Sequence, residues 1–307
     1  MKRRDFIVVL GGAATWPVAA LAQQAGKVYR VGLISAATPV SEMAGSEPVS
    51  PHFRAFVQGL RDLGYVEGQN LILERRSAEG RFERLGDIVA ELVRLKAEVI
   101  VTFGNPAALA AKAVTTTAPI VMANSGDPVG DALVQSLARP GGNITGLTVF
   151  AGPEIEAKRL ELLRAMLPGV SRIAYLASKE YKEWASPWGK GVRTAAQALG
   201  VTLVLAEFTP REYTDAFALI SRARAEALFV SLTAPAYADR ALIVDFATRA
   251  QLLSIFYYRE SVELGVLMSY GVSLPDMSTA PPATWTRSSR APNPPTCPSS
   301  SRPSSSW

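Results

Sequence analysis

Short, continuous apolar runs alternate with amphipathic stretches along the chain, and the alternation happens twice. In the first half the apolar run 28–35 (VYRVGLIS) precedes a Pro- and Ser-rich loop, an amphipathic helix over 53–63 and a strand over 71–75. Strand 98–103 (EVIVTF), helix 106–114 and strand 119–123 (PIVMA) follow. The second half repeats the order, with strand 172–177 (RIAYLA), helix 191–199, strand 201–207, strand 227–231, helix 237–250 and strand 253–257. Runs of about five apolar residues separated by helices are what parallel strands buried on both faces require. The pattern predicts an α/β protein of two doubly wound parallel-sheet lobes, 27–147 and 148–271. The alternative, one large α/β domain, gives no reason for the repetition. The glycine-rich segment 141–152 (GGNITGLTVFAG) is the expected first crossing between lobes, and 272–277 the expected return toward lobe 1. Ligands of open parallel sheets collect beyond the C-terminal strand ends, so two facing lobes imply an interlobe cleft.

The N-terminus changes the picture of where this happens. A basic head (MKRRD), an apolar run over 6–20 and Ala20-Leu21-Ala22 predict an export signal over 1–22, cleaved after Ala22. Arg3-Arg4 ahead of Asp5-Phe6 resembles a twin-arginine signal, which implies the periplasm. A cytosolic helix is the alternative, and Gly11, Gly12 and Pro17 suit it less. The run falls short of the roughly 20 apolar residues of a membrane helix, so no membrane span is expected after cleavage.

Charge and cysteine content narrow the partners. The net charge of +5 comes from the head and from Arg287, Arg290 and Arg302, leaving a neutral body without a basic stripe, which argues against nucleic acid. Cys297 is the sole cysteine and His52 the sole histidine, so neither an internal disulfide nor a clustered His/Cys metal site is expected. There is no G-x-S-x-G elbow and no phosphate-binding G-x-x-x-x-G-K-[ST] loop. No catalysis and no cofactor are expected. Two rival readings stay open: a sensor passing ligand occupancy to a signalling partner, and a carboxylate- or lysine-based enzyme on the same scaffold.

The stretches VGLIS (31–35), FVQGLRDLGYVEGQNLILERRSAEG (56–80), IVTFGNPAALAAK (100–112), PIVMANSGDPVG (119–130) and LARPGGNITGLT (137–148) resemble the ABC-transporter substrate-binding proteins of the tryptophan/tyrosine-binding type. The resemblance covers about 27–276. It implies a two-lobed periplasmic-binding fold, type I-like, that closes on one small carboxylate-bearing ligand, an aromatic amino acid or aromatic acid, and docks as a monomer on an importer permease.

Candidate contacts lie on the strand-end loops. In lobe 1 these are Ser35, the loop Gly104-Asn105-Pro106-Ala107, whose amides can hold a carboxylate, and Asn124, Ser125 and Asp127. Asn105 is equally a plain helix cap, and it stands where many relatives carry threonine or serine. Asp127 either accepts from a ligand ammonium or closes a turn before Pro128. Lobe 2 offers Ser178, Tyr181, Trp184, Ser231, Thr233 and Tyr257, with Trp188 as a further ring. Edge packing within the lobe is the competing role of the rings.

Residues 278–307 contain no Asp, Glu, Lys, Val, Ile or Leu and cannot build a core. A disordered extension is one reading. The resemblance instead implies a further helix, strand and helix here. With codons ACG TGG ACA AGA TCC TCA AGG GCG for 284–291, moving back one base behind a T gives YVDKILKG, which is how such a helix commonly reads. The expectation is a frameshift shortly after Met277, which would strip a layer from lobe 1.

Overall fold

The computed structural model describes residues 27–150, 152 and 154–279. The expected export signal and the Ser/Pro-rich tail from residue 280 onward lie outside the described residues.

Among the described residues ten strands form two five-stranded sheets, each wholly parallel. β1 (Tyr29–Ser35), β2 (Leu71–Ser77), β3 (Val99–Phe103), β4 (Ile120–Asn124) and β5 (Ile144–Gly146) run in the order β2-β1-β3-β4-β5. β6 (Arg172–Ser178), β7 (Thr202–Phe208), β8 (Ala227–Val230), β9 (Leu253–Phe256) and β10 (Met268–Ser269) run β7-β6-β8-β9-β10. The two orders are the same when counted within each lobe. The repeated hydrophobic pattern therefore encodes one topology twice.

Helices cover both faces of each sheet, which is why the strands are apolar throughout rather than alternating. In the first sheet, Val31 and Leu33 pack with Phe53, Phe56 and Leu60 of the helix Pro51–Asp62, termed α2 after the short α1 (Val40–Met43). Ile34 faces the other way, toward Val89 and Leu92 of α3 (Leu85–Arg94) and Ala107 and Ala111 of α4 (Asn105–Val114). A Cβ on Gly32 would lie 2.7 Å from the Leu92 side chain, so glycine lets α3 settle onto β1. In the second sheet, Ile173 and Tyr175 pack with Leu160 and Leu163 of α5 (Glu154–Met166) and Val192 of α6 (Pro187–Leu199). Leu176 and Leu228 face Ile220 of α7 (Thr214–Arg222) and Ile243 and Val244 of α9 (Arg240–Arg249).

Several elements differ from the sequence reading. Residues 144–146 of the glycine-rich crossing form β5, an edge strand whose Gly146 has φ of 144°. A Cβ there would lie 2.2 Å from the Met122 carbonyl oxygen, so only glycine fits. The helix expected over 237–250 divides at Asp239 into α8 (Ala234–Ala238) and α9. Asp239 instead accepts from the Tyr213 hydroxyl at 3.0 Å and the Arg211 amide at 3.1 Å. α6 begins four residues before its expected start, because Ser186 caps it by accepting from the Gly189 amide and Pro187 sets its first turn.

Among the described residues the chain passes between sheets twice. After β5, the Leu147 amide donates to Met122 and the Val149 amide to Ser125. After β10, α10 (Leu274–Ser278) returns to pack on α2 and the end of β4.

Candidate functional site

The C-terminal ends of the two sheets face each other across a cleft, whose unfilled space is about 870 Å³ counting its mouth. Parallel strands deliver loops and helix N-termini to that end. Ser35, Gly104, Asn105, Asn124, Ser125 and Asp127 line it from lobe 1, and Tyr181 from lobe 2.

Asn105 is a side-chain hub rather than a cap. Gly104, with φ of 94°, holds the capping position of α4, and Asn105 is the first helical residue. Its Oδ1 accepts from the Ser125 hydroxyl at 2.6 Å, and its Nδ2 donates to Asp131 Oδ2 at 2.6 Å. The Gly104 amide donates to Asn124 Oδ1 at 2.6 Å, and Asp127 Oδ1 accepts from the Gly130 amide at 2.9 Å, closing its turn. Burial raises the Asp131 carboxyl above its usual range, with the Asp127 charge adding to the effect and the Asn105 bond opposing it. Ser35 spends its hydroxyl on the Thr38 amide at 2.8 Å.

Seven other expected contacts do not line the cleft, for identifiable reasons. Pro106 shapes the first turn of α4 and Ala107 is fully buried in the lobe core. The Ser178 hydroxyl donates to Glu180, and Thr233 caps α8 by accepting from the Ala236 amide. Ser231 pairs loosely with Thr233 at 3.5 Å. Trp184 packs on Tyr175 and under the Arg193 guanidinium. Tyr257 turns into the crossing, where its hydroxyl donates to the Val149 carbonyl at 2.6 Å.

The neighbours of several of these residues take the cleft positions: Leu232, Ala234 and Tyr258 line it. Successive residues at a strand end point to opposite sides, so an assignment displaced by one lands in the wall.

Further chemistry lines the cleft, and of its residues the sequence pointed to Tyr181 and Trp188 but not to His52, Tyr237 or Glu183. His52 is 2% exposed, with Nδ1 3.0 Å from the Ser50 hydroxyl and its ring against Phe103 and Tyr237. Burial, with the nearby Arg240 charge, pushes its pKa down to about 3, so the imidazole is neutral. Tyr237 is 4% exposed and its hydroxyl has no hydrogen-bond partner among the described residues. Trp188 meets Phe150 of the crossing at 4.5 Å, and Tyr181 meets Phe82 of lobe 1 edge-on at 5.7 Å. Glu183 accepts from the Ser178 amide at 2.8 Å, and burial pushes its acid up to about 8. An acid among aromatics just after a buried strand was the available signal for Glu183.

The surfaces outside the cleft are tied more weakly. Arg211 reaches Glu79 across the lobes at 3.9 Å, both partly exposed. Among the described residues no group of His, Cys, Asp and Glu is placed to hold a metal ion, and no helix is long and apolar enough to cross a membrane.

Two parallel-sheet lobes joined by crossings, with polar loops and rings around one cleft, define a periplasmic-binding-type, type I-like fold. Residues 46–280 match the family model of the ABC transporter substrate binding protein, and the chain belongs to that family. It is 28% identical over 137 residues to a tyrosine-binding protein of Clostridioides difficile, covering 45% of this chain and 39% of that protein. Its fold resembles a conserved domain protein of Vibrio cholerae, with a TM-score of 0.74, 22% identity and 87% of both chains covered. It also resembles an ABC domain of Streptococcus pneumoniae in complex with L-Trp, with a TM-score of 0.72, 20% identity and 87% of both chains covered.

Proposed function

We propose that this protein is the periplasmic receptor of an ABC importer, exported by the signal at its N-terminus, and that it closes on one small planar carboxylate-bearing ligand. Aromatic amino acids and aromatic acids are the ligand classes, and a membrane permease receives the cargo. The observation that carries this reading is the cleft whose rings and polar groups come from both lobes: Phe103, Asn105 and Ser125 on one side, Tyr181, Trp188 and Tyr237 on the other. Rings bury area at little entropic cost and give planar ligands a face to stack on. The relatives' cargo supports the same class, since one is a tyrosine-binding protein and another holds L-Trp.

A thermal-shift screen of the protein against amino acids, aromatic acids and short metabolites tests the proposal, because a ligand that binds only the folded state raises the melting temperature with its concentration. A saturable rise with one class, with the compound recovered unaltered, is the expected result. Chemical turnover of a compound would contradict the receptor reading, and so would silence across the panel.

A further inference from the structure

The cleft is charged in one sense only. Asp127 and Asp131 line it from lobe 1 and Glu183 from lobe 2, and its lining holds no lysine or arginine. A ligand bearing only a carboxylate therefore meets three acids and no counter-charge.

The helix N-terminus that would normally receive an anion is already partly compensated. Amides at the start of α4 and its dipole favour negative charge, but Asp131 is held beside its first residue through Asn105 at 2.6 Å. Of the four residues 104–107, Gly104 has given its amide to Asn124 and Pro106 has none.

Glu183 faces a different situation. It is 6% exposed, lies on the short turn Glu183–Ala185 after β6, and is held by the Ser178 amide at 2.8 Å. Tyr175 of β6 and Ser231 just after β8 also bond it. The charges acting on it are Glu156 and Arg159 of α5, joined to each other at 2.8 Å; Glu180 lies on its own loop beside Tyr181, and Asp131 lines the cleft from lobe 1. Arg159 is fully buried, bonded also to the Val230 carbonyl, and does not line the cleft. No lysine or arginine lines the cleft beside Glu183, so a cation that meets it there comes from the ligand. Phe103, Tyr181, Trp188, Tyr237 and Tyr258 also line the cleft, and aromatic rings attract a cation placed over their faces.

We propose that the cleft reads an ammonium group on its ligand, with Glu183 as the specificity-determining residue that meets it, so that aromatic amino acids and arylalkylamines are taken and aromatic acids without an amine are refused. This rests on the receptor reading above and narrows its ligand class. Burial pushes the Glu183 acid up to about 8, so an arriving cation displaces a proton. Affinity for an amine then rises by up to about tenfold per pH unit below about 8 and flattens above it.

The full chain is titrated with tryptophan, tryptamine and indole-3-propionate, and with the phenyl and hydroxyphenyl counterparts of each, from pH 6 to 9. Tryptophan and tryptamine are expected to bind at least about tenfold more tightly than indole-3-propionate, the effect of one charge-assisted bond. In Glu183→Gln that preference collapses and the affinity for tryptamine no longer follows pH. Equal binding of indole-3-propionate, or a preference and pH slope intact in Glu183→Gln, overturns the inference and leaves the receptor reading standing. Silence from all the compounds contradicts the receptor reading and the inference together. Should Glu183→Gln fail to fold, the wild-type ranking and its pH profile decide alone.

Discussion

The Tyr257 hydroxyl donates to the Val149 carbonyl at 2.6 Å and so fastens lobe 2 to the segment that crosses from lobe 1. Both residues are buried, at 1% and 5% exposed. Tyr257→Phe keeps the ring and leaves that carbonyl without its donor, costing about 1–3 kcal/mol. The urea midpoint should fall accordingly while the denaturant slope stays unchanged, because the same surface unfolds.

Gly80 has φ of 84°, and a Cβ on it would lie 2.6 Å from Pro210 Cβ in the opposite lobe. Gly80→Ala should therefore oppose the closed arrangement more than it unfolds either lobe. Calorimetry is expected to show a loss of ligand affinity of at least about tenfold, and a strained φ adds roughly 1 kcal/mol to folding. Unchanged affinity would mean that this contact is not part of closure. By contrast, the neighbouring Arg211–Glu79 pair is long and partly exposed, so Arg211→Ala should alter stability by less than about 1 kcal/mol.

Stability should respond to pH through two buried groups acting in opposite senses. Glu183 has an acid raised to about 8, so the folded state binds its proton more tightly than the unfolded chain. Its contribution is full below the ordinary carboxylate range and is lost as pH rises toward about 8. His52, lowered to about 3, resists protonation when folded. Its contribution is full above the ordinary imidazole range and is lost as pH falls toward about 3. Urea midpoints of wild type and Glu183→Gln at pH 5, 6.5 and 8 separate the two. The variant should gain relative to wild type as pH rises, and a constant difference would contradict the assignment.

The fold was legible because parallel strands buried on both faces leave an unmistakable run of apolar residues, as in RIAYLA of β6 and VIVTF of β3. Edge strands of two or three residues, such as β10 and β5, carry no such run. The lobe-1 half of the cleft was legible too, since Asn105, Ser125 and Asp127 follow strands directly. Lobe 2 was harder to read. There the cleft positions depend on which way each residue after the strand points, and Thr233 is consumed as a cap while Ala234 faces the cleft. Glu183 and His52 owe their altered acidity to burial by distant elements, which no local pattern records.

The composition from residue 278 onward invites a genetic test. α10 ends at Ser278, whose hydroxyl is buried without a partner among the described residues. If the frame is broken shortly after Met277, restoring it adds a layer to lobe 1 and should raise the melting temperature by several degrees, at roughly 2–4 °C per kcal/mol for a protein of this size. Resequencing that finds the frame intact, with no gain in stability from the alternative tail, would sink the idea.

In the proposed receptor one small ligand sits between the lobes, held by rings from both. Calorimetric titration of the ligand found by screening, into wild type and into Trp188→Ala and Tyr181→Ala, tests it most directly. One site per chain is expected in wild type and at least about tenfold weaker binding in each variant, in line with what a stacked ring contributes. Binding that ignores both substitutions, or more than one equivalent site per chain, would place the ligand elsewhere and contradict the account.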